Sequence, residues 1–327
     1  MRTLCCKQLL NPQRHSDLKN RSGQTLLHYA IALEEDQLAV ALLQAGASTS
    51  VLNAAGETAW QAFVHSWAAG WYGTKFYVVL KAFIARLGDA VDITCERRGD
   101  TTLHMYAQHL DAIKSISHCK LQRGFVVIRR PGVVNDSVHC LFLLLNTGCC
   151  VNARDKFQEL PFQKSTIFED LDSLSVMPLL EAMWRMLAAA GSRLHLDFSE
   201  ADKLAMIVND FTAVKPPAEL LSLHALGLIT AHSDEAKSRL RARTRRPSVC
   251  EDIIAKLCLP RKLQDLCLSC IRMNCYPNAF VAASKLPLPL IFQEGARPEY
   301  QMYKKQFGRT SYGSHTWLKN PSFYTCT

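Results

Sequence analysis

No stretch of this 327-residue sequence approaches the length of apolar residues needed to cross a bilayer. The opening MRTLCCKQLL is too short and too polar for the apolar region of a secretion signal. Cys5-Cys6 could carry a palmitoyl group, but nothing else in the sequence supports a membrane anchor. The 13 cysteines, an odd number, therefore read as reduced, buried thiols of a cytoplasmic protein, with the nucleus as the other compartment. Catalytic signatures are also missing. There is no Gly-rich phosphate loop, no Gly-x-Ser-x-Gly elbow and no His-Glu-x-x-His pair. Nor does the sequence nominate a histidine for a cysteine nucleophile. These absences point away from an enzyme and from any cofactor. Charged residues are only 20% of the chain against 48% hydrophobic, the balance of a globular protein rather than a disordered one.

The net charge of +9 is a poor guide to a phosphate-binding face. Lys237, Arg239, Arg241, Arg243, Arg245 and Arg246 carry six of those charges within ten residues, which leaves three for the rest of the chain. A basic excess held in one short segment is a solvated linker or helix face, with a nuclear localisation signal as the rival.

What is present is a repeat. Gly23-Gln24-Thr25-Leu26-Leu27-His28 opens a helix–turn–helix unit, and Ala45-Gly46-Ala47 closes it. Thr25 suits the N-cap, with His28 placed to reach back three residues later, and Gly46 suits a left-handed C-cap. Openings recur at Gly56 and Gly99, and closings at Gly88, Gly148 and Gly191. The interval from closing to opening is 10 residues for Gly46 to Gly56 and 11 for Gly88 to Gly99. It is 10 again for Gly148 to Gln158, if Gln158 replaces a glycine. Opening to closing varies over 23, 32, 49 and 33 residues, so insertions fall between the two helices of a unit, where a loop grows cheaply. Constant turns and variable loops mark a stacked array. The largest insert, 114–137, includes a β-like run, Phe125 to Ile128. Trp60, Trp67, Trp71 and Tyr72 crowd the second unit and read mostly as core.

These units resemble the ankyrin repeat. Thr25-Leu26-Leu27-His28 and Thr101-Thr102-Leu103-His104 match its Thr-Pro-Leu-His motif, and Val151 to Asp155 matches its inter-repeat turn. The second and fourth units are degenerate, with Trp60-Gln61 and Leu160-Pro161-Phe162 in the motif's place. The two motif histidines are read as capping and packing residues. The resemblance implies an all-α solenoid of about four repeats over 20–196, preceded by an N-terminal segment, 1–19. It also implies a protein-binding surface at the turn tips, with Glu96, Arg97, Arg98, Arg154, Asp155, Lys156 and Phe157 as candidates.

Beyond the repeats, 197–236 is amphipathic and suits a helical cap, and 237–247 is the basic linker. Leu263, Cys267 and Ile271 then recur every four residues, widened by Leu266 and Cys270 into a stripe that must bury itself against something. Pro277 stops this helix, and Leu286-Pro287-Leu288-Pro289 follows as an extended segment. The Cys267-x-x-Cys270 pair has zinc-like spacing, but without a second knuckle both thiols read as small hydrophobes and no metal is expected.

The order of these two motifs resembles the SOCS box, placed here at 248–293. The resemblance implies that Leu263, Cys267 and Ile271 contact elongin C, and that Leu286, Pro287, Leu288 and Pro289 contact cullin-5. Together the arrays resemble the ankyrin-repeat and SOCS-box family. That implies a non-catalytic substrate receptor of a cullin–RING ubiquitin ligase, partnered by elongins B and C, cullin-5 with its RING protein, and a protein target. No RING or HECT-like pattern would let the chain transfer ubiquitin itself. Two rival readings remain: an ankyrin scaffold whose last helix only caps the stack, and a basic nuclear factor that binds nucleic acid through 237–246. The tail, 294–327, has no assigned role.

Overall fold

The computed structural model describes residues 17–68, 76–87, 99–108, 110, 131–163, 177–196, 199–207, 217–243 and 247–296. Among them the chain is helical, with no strand and one isolated bridge, Leu52 to Thr58. The described residues are thus compatible with the expected all-α class. Glu96, Arg97, Arg98, Trp71, Tyr72, the Phe125 to Ile128 run, Arg245, Arg246 and the tail beyond Ala296 lie outside the described residues. Two compact units emerge: Met1–Val127 with Thr147–Ile167, and Ile128–Asn146 with Phe168–Thr327.

The first unit contains α1 (Leu26–Ala32), α2 (Asp36–Gln44), α3 (Ala59–Ala68), α4 (Phe76–Leu87) and α5 (residues 102–108). Helix α1 packs on α2 and on α3, and α2 packs on α4. Opening helices stack on opening helices and closing helices on closing helices. Trp60 is buried among Phe63 and Phe83, and its indole N–H donates to the Thr102 hydroxyl at 3.0 Å.

One hydrogen-bond pattern recurs at three turns of this unit. Asn20 Oδ1 accepts from the backbone N–H groups of Ser22 and Gln24, both at 2.9 Å. Asn53 Oδ1 does the same for Ala55 and Glu57 at 2.9 and 3.0 Å. Asp155 Oδ1 does it again for Phe157 and Glu159 at 2.8 and 3.0 Å. Three residues after each of these side chains comes a left-handed residue: Gly23 (φ 69°), Gly56 (φ 76°) and Gln158 (φ 65°). Gly99 (φ 72°) belongs to the same set. Gln158 thus stands where the other turns have glycine, as the spacing requires. Left-handed backbone costs a residue with a Cβ about 1–2 kcal/mol. Glycine in turn loses about 0.5–1 kcal/mol more chain entropy on folding. Gln158→Gly should therefore stabilise the fold by about 0.5–1 kcal/mol. Urea unfolding measures the difference, and a loss of stability would show that the glutamine side chain outweighs its backbone strain.

The histidines cap and connect. Thr25 N–H donates to His28 Nδ1 at 3.3 Å, so the other ring nitrogen, Nε2, donates to the Glu57 carbonyl at 3.1 Å. Burial, above all, pushes the His28 pKa down, which keeps this neutral tautomer. His104 repeats the arrangement on Thr101 and the Glu159 carbonyl, at 3.1 and 3.0 Å. The same link spans 29 residues from His28 and 55 from His104, because the insertion lies between its two ends. Gln61 takes the histidine's place in the second repeat. It accepts from Thr58 N–H at 2.9 Å, while its own N–H donates to the Thr58 hydroxyl at 3.2 Å.

The second compact unit holds α6 (Pro131–Asn146), α7 (Met177–Ala189), a 3-10 turn (Arg193–Leu196), α8 (Glu200–Ile207), α9 (Pro217–Ala225), α10 (Asp234–Arg243), α11 (Pro247–Leu257), α12 (Leu263–Asn274), α13 (Ala279–Ala282) and α14 (Leu290–Gly295). Helix α6 packs on α7, α7 on α8, and α8 on α10; α11 packs on both α9 and α10. Part of the expected basic linker is helix α10. Among its described side chains, Lys237 meets Asp234, Arg239 meets Glu235, and Arg241 meets Glu251 through two bonds of 2.7 and 3.1 Å.

Candidate functional site

Helix α12 carries an acid in its first turn, Asp265, and a base in its last, Arg272, which suits the helix dipole. It ends where Cys275 turns extended ahead of Tyr276-Pro277. Its seat is built from the side opposite the expected stripe. Leu268 is buried and joins Ala283 and Ala296 in a small core, with Ile271 and Cys275 packed against it. Burial pushes the Cys275 thiol pKa up and keeps it protonated. One turn on from Leu268, Arg272 is only 5% exposed, and its Nε donates to the Ala296 carbonyl at 3.0 Å. At the start of the helix, Arg261 Nη1 donates to the Ser269 hydroxyl at 3.0 Å.

The stripe itself faces outward. Leu263 is 76% exposed and Leu266 43%, and Cys267 and Cys270 are exposed beside them. Only Ile271, at the edge, is half-buried. Apart from Ile271, no described residue of the chain buries this stripe. With 100° between successive residues, Leu268 and Arg272 lie on the far side of the helix from Leu263 and Cys267. Those two anchors take the inward face, so the leucine–cysteine side is left in solvent. Leu259 (59% exposed) and Tyr276 (80% exposed) are further apolar groups at the two ends of the helix.

Asn278 fastens the chain just after α12. It is fully buried and caps α13, its Oδ1 accepting from Val281 N–H at 3.3 Å. Its Nδ2 donates to the Leu145 carbonyl near the end of α6 at 2.9 Å. Ala279 N–H donates to the Ala190 carbonyl at 2.9 Å, and Phe280 lies against Phe142 with ring centroids 6.2 Å apart.

The segment Leu286-Pro287-Leu288-Pro289 is extended at both ends, with Leu286 at φ −69°, ψ 143° and Pro289 at φ −53°, ψ 144°. Pro287 and Pro289 are exposed, and Leu286 and Leu288 are half-buried. Leu290 and Phe292 are also exposed and extend the apolar surface into α14.

Of the turn-tip candidates, Arg154, Lys156 and Phe157 are exposed, Phe157 to 66%. Arg154 Nη1 donates to the Gln158 carbonyl. Asp155 is 3% exposed, and its carboxylate is taken up by the turn's own N–H groups, so it shapes the tip rather than facing a partner. Among the described residues no group of three or more His, Cys, Asp or Glu side chains could hold a metal ion, and no helix is long and apolar enough to cross a membrane. Sequence reasoning missed the inward roles of Leu268 and Arg272, whose i,i+4 spacing was a signal, the capping role of Asn278, which its residue type allows, and the bonds of Asn278 to Leu145 and of Gln293, which no local pattern announces.

No protein-family model matches the chain, and a comparison with curated proteins also returns no match.

Proposed function

We propose that this chain is a non-catalytic substrate receptor for a cullin–RING ubiquitin ligase. Its helical repeats are ankyrin-type and capture a target protein. Its C-terminal segment acts as a SOCS box, with α12 docking on elongin C, which carries elongin B. Leu286, Pro287, Leu288 and Pro289 contact cullin-5 with its RING protein, and the complex works in the cytosol or nucleus. The catalytic work belongs to the ligase. The receptor raises the effective concentration of the target's lysines near the loaded conjugating enzyme.

One observation carries this reading: an apolar helix face, Leu263, Leu266, Cys267 and Cys270, turned to solvent while the same helix is anchored from behind. Exposed apolar patches of this kind mark protein-binding sites. The scaffold alternative needs a last helix that buries its stripe as a cap, and this stripe is the part of α12 that stays uncovered. Exposed Arg154, Lys156 and Phe157 remain the turn-tip candidates for target contact.

The test is co-expression with elongins B and C, followed by size-exclusion chromatography, of the native chain and of a Leu263→Ser/Cys267→Ser double variant. Both side chains are exposed, so the variant should lose no more than about 0.5 kcal/mol of stability while losing co-elution. A native chain that elutes apart from the elongins would overturn the receptor reading in favour of the scaffold.

A further inference from the structure

The segment that follows α13 has two prolines in four residues and lacks the backbone donors for a ladder of its own. An extended chain of this kind leaves its carbonyls to water and samples many shapes. Here it does not. Leu288 N–H turns back to the Leu286 carbonyl at 2.8 Å. One side chain completes the shape. Gln293, on α14, is half-buried and points its amide back at the segment. Its Nε2 donates to the Leu286 carbonyl at 3.0 Å and to the Leu288 carbonyl at 2.9 Å. A primary amide has two N–H groups, and this one spends one on each carbonyl. Both carbonyls belong to leucines, and the residues after them, Pro287 and Pro289, are exposed.

We propose that Gln293 is a positioning residue: its amide clamps the Leu286 and Leu288 carbonyls so that Pro287, Pro289, Leu290 and Phe292 are presented as one pre-formed apolar strip for the cullin. This inference rests on the receptor reading and adds to it the group that sets cullin affinity. A strip ordered before binding loses less conformational freedom when it docks, so the clamp acts on affinity without touching the partner.

The experiment uses the full chain bound to elongins B and C, with recombinant cullin-5 carrying its RING protein as the titrant in calorimetry. Three variants separate the roles. Gln293→Leu keeps the bulk and removes the donors. Gln293→Glu turns an acidic oxygen toward two carbonyls. Gln293→Lys restores donors at similar reach. Leu and Glu variants should weaken cullin binding about tenfold or more, with elongin assembly and thermal midpoint unchanged, and the Lys variant should recover most of the loss. Equal cullin affinity in all four proteins overturns the inference and leaves the receptor reading standing. A parallel loss of elongin assembly or of thermal midpoint overturns it too, because the role would then be structural. A native chain that takes up no elongin removes the receptor reading and this inference with it.

Discussion

Gly191→Ala should cost far more than Gly46→Ala, although the two glycines have the same backbone. Both close a helix at φ 90°, and both sit in the same C-terminal hydrogen-bond pattern. Gly46 N–H donates to Leu43 and Ala47 N–H to Leu42; Gly191 N–H donates to Ala188 and Ser192 N–H to Leu187. Their surroundings differ. A Cβ on Gly46 would meet nothing within 4 Å. A Cβ on Gly191 would lie 2.0 Å from the Arg272 carbonyl oxygen and 2.7 Å from its carbon. Backbone strain alone sets the Gly46 loss at about 1 kcal/mol. At Gly191 the obstacle is helix backbone and cannot rotate away. Helix α12 would have to lift by more than an ångström, breaking the Arg272 to Ala296 bond and opening the Leu268 core. The combined loss should reach about 4 kcal/mol or more. Urea unfolding of the two variants gives the comparison, and hydrogen exchange across 263–274 shows whether α12 is what comes loose. Equal losses at the two positions would mean that α12 does not rest on Gly191.

That contrast also shows what could be read from the residues alone. The left-handed role of both glycines was legible, because a helix that must reverse direction needs a residue without a Cβ penalty at its end. The close approach to Arg272 was not, since it joins positions far apart in sequence. The same division holds elsewhere. Spacing placed Gln158 in a glycine's turn, and its φ of 65° agrees. The second repeat looked degenerate because its motif histidine is missing. Yet Thr58-x-x-Gln61 is itself a capping pair, a signal present in the sequence. For α12 the periodicity located the apolar face but not what covers it. A stripe of leucines and cysteines implies burial, but by what is a tertiary fact. Leu268, and Arg272 through its hydrogen bond to the Ala296 carbonyl, take the inward side. Gln293 left no trace in any local pattern, because its partners are backbone carbonyls, which every residue carries.

Asn278 is where the C-terminal segment is fastened, and its replacement should separate two kinds of loss. The side chain serves two helix ends at once. Its oxygen caps the N-terminus of α13 and its nitrogen satisfies the Leu145 carbonyl, one of the orphan acceptors that every helix C-terminus leaves. Asn278→Ala removes both bonds in a fully buried site, a loss of about 2–4 kcal/mol. Asn278→Asp keeps the cap, which favours a carboxylate at an N-terminus, but turns an acidic oxygen toward a carbonyl in a site closed to bulk solvent. Near neutral pH the aspartate variant should therefore be at least as unstable as the alanine one. The two should diverge on acidification. A carboxyl buried against a carbonyl has its folded pKa raised above the unfolded value of about 3.9. Its neutral form can donate to Leu145. Stability is then present in full below the unfolded pKa and lost as pH rises through the folded one. The aspartate variant should gain on the alanine variant as pH falls from 7 toward 4, followed by urea unfolding at each pH. A constant difference between the two variants over that range would mean that the Leu145 carbonyl does not depend on a donor from position 278.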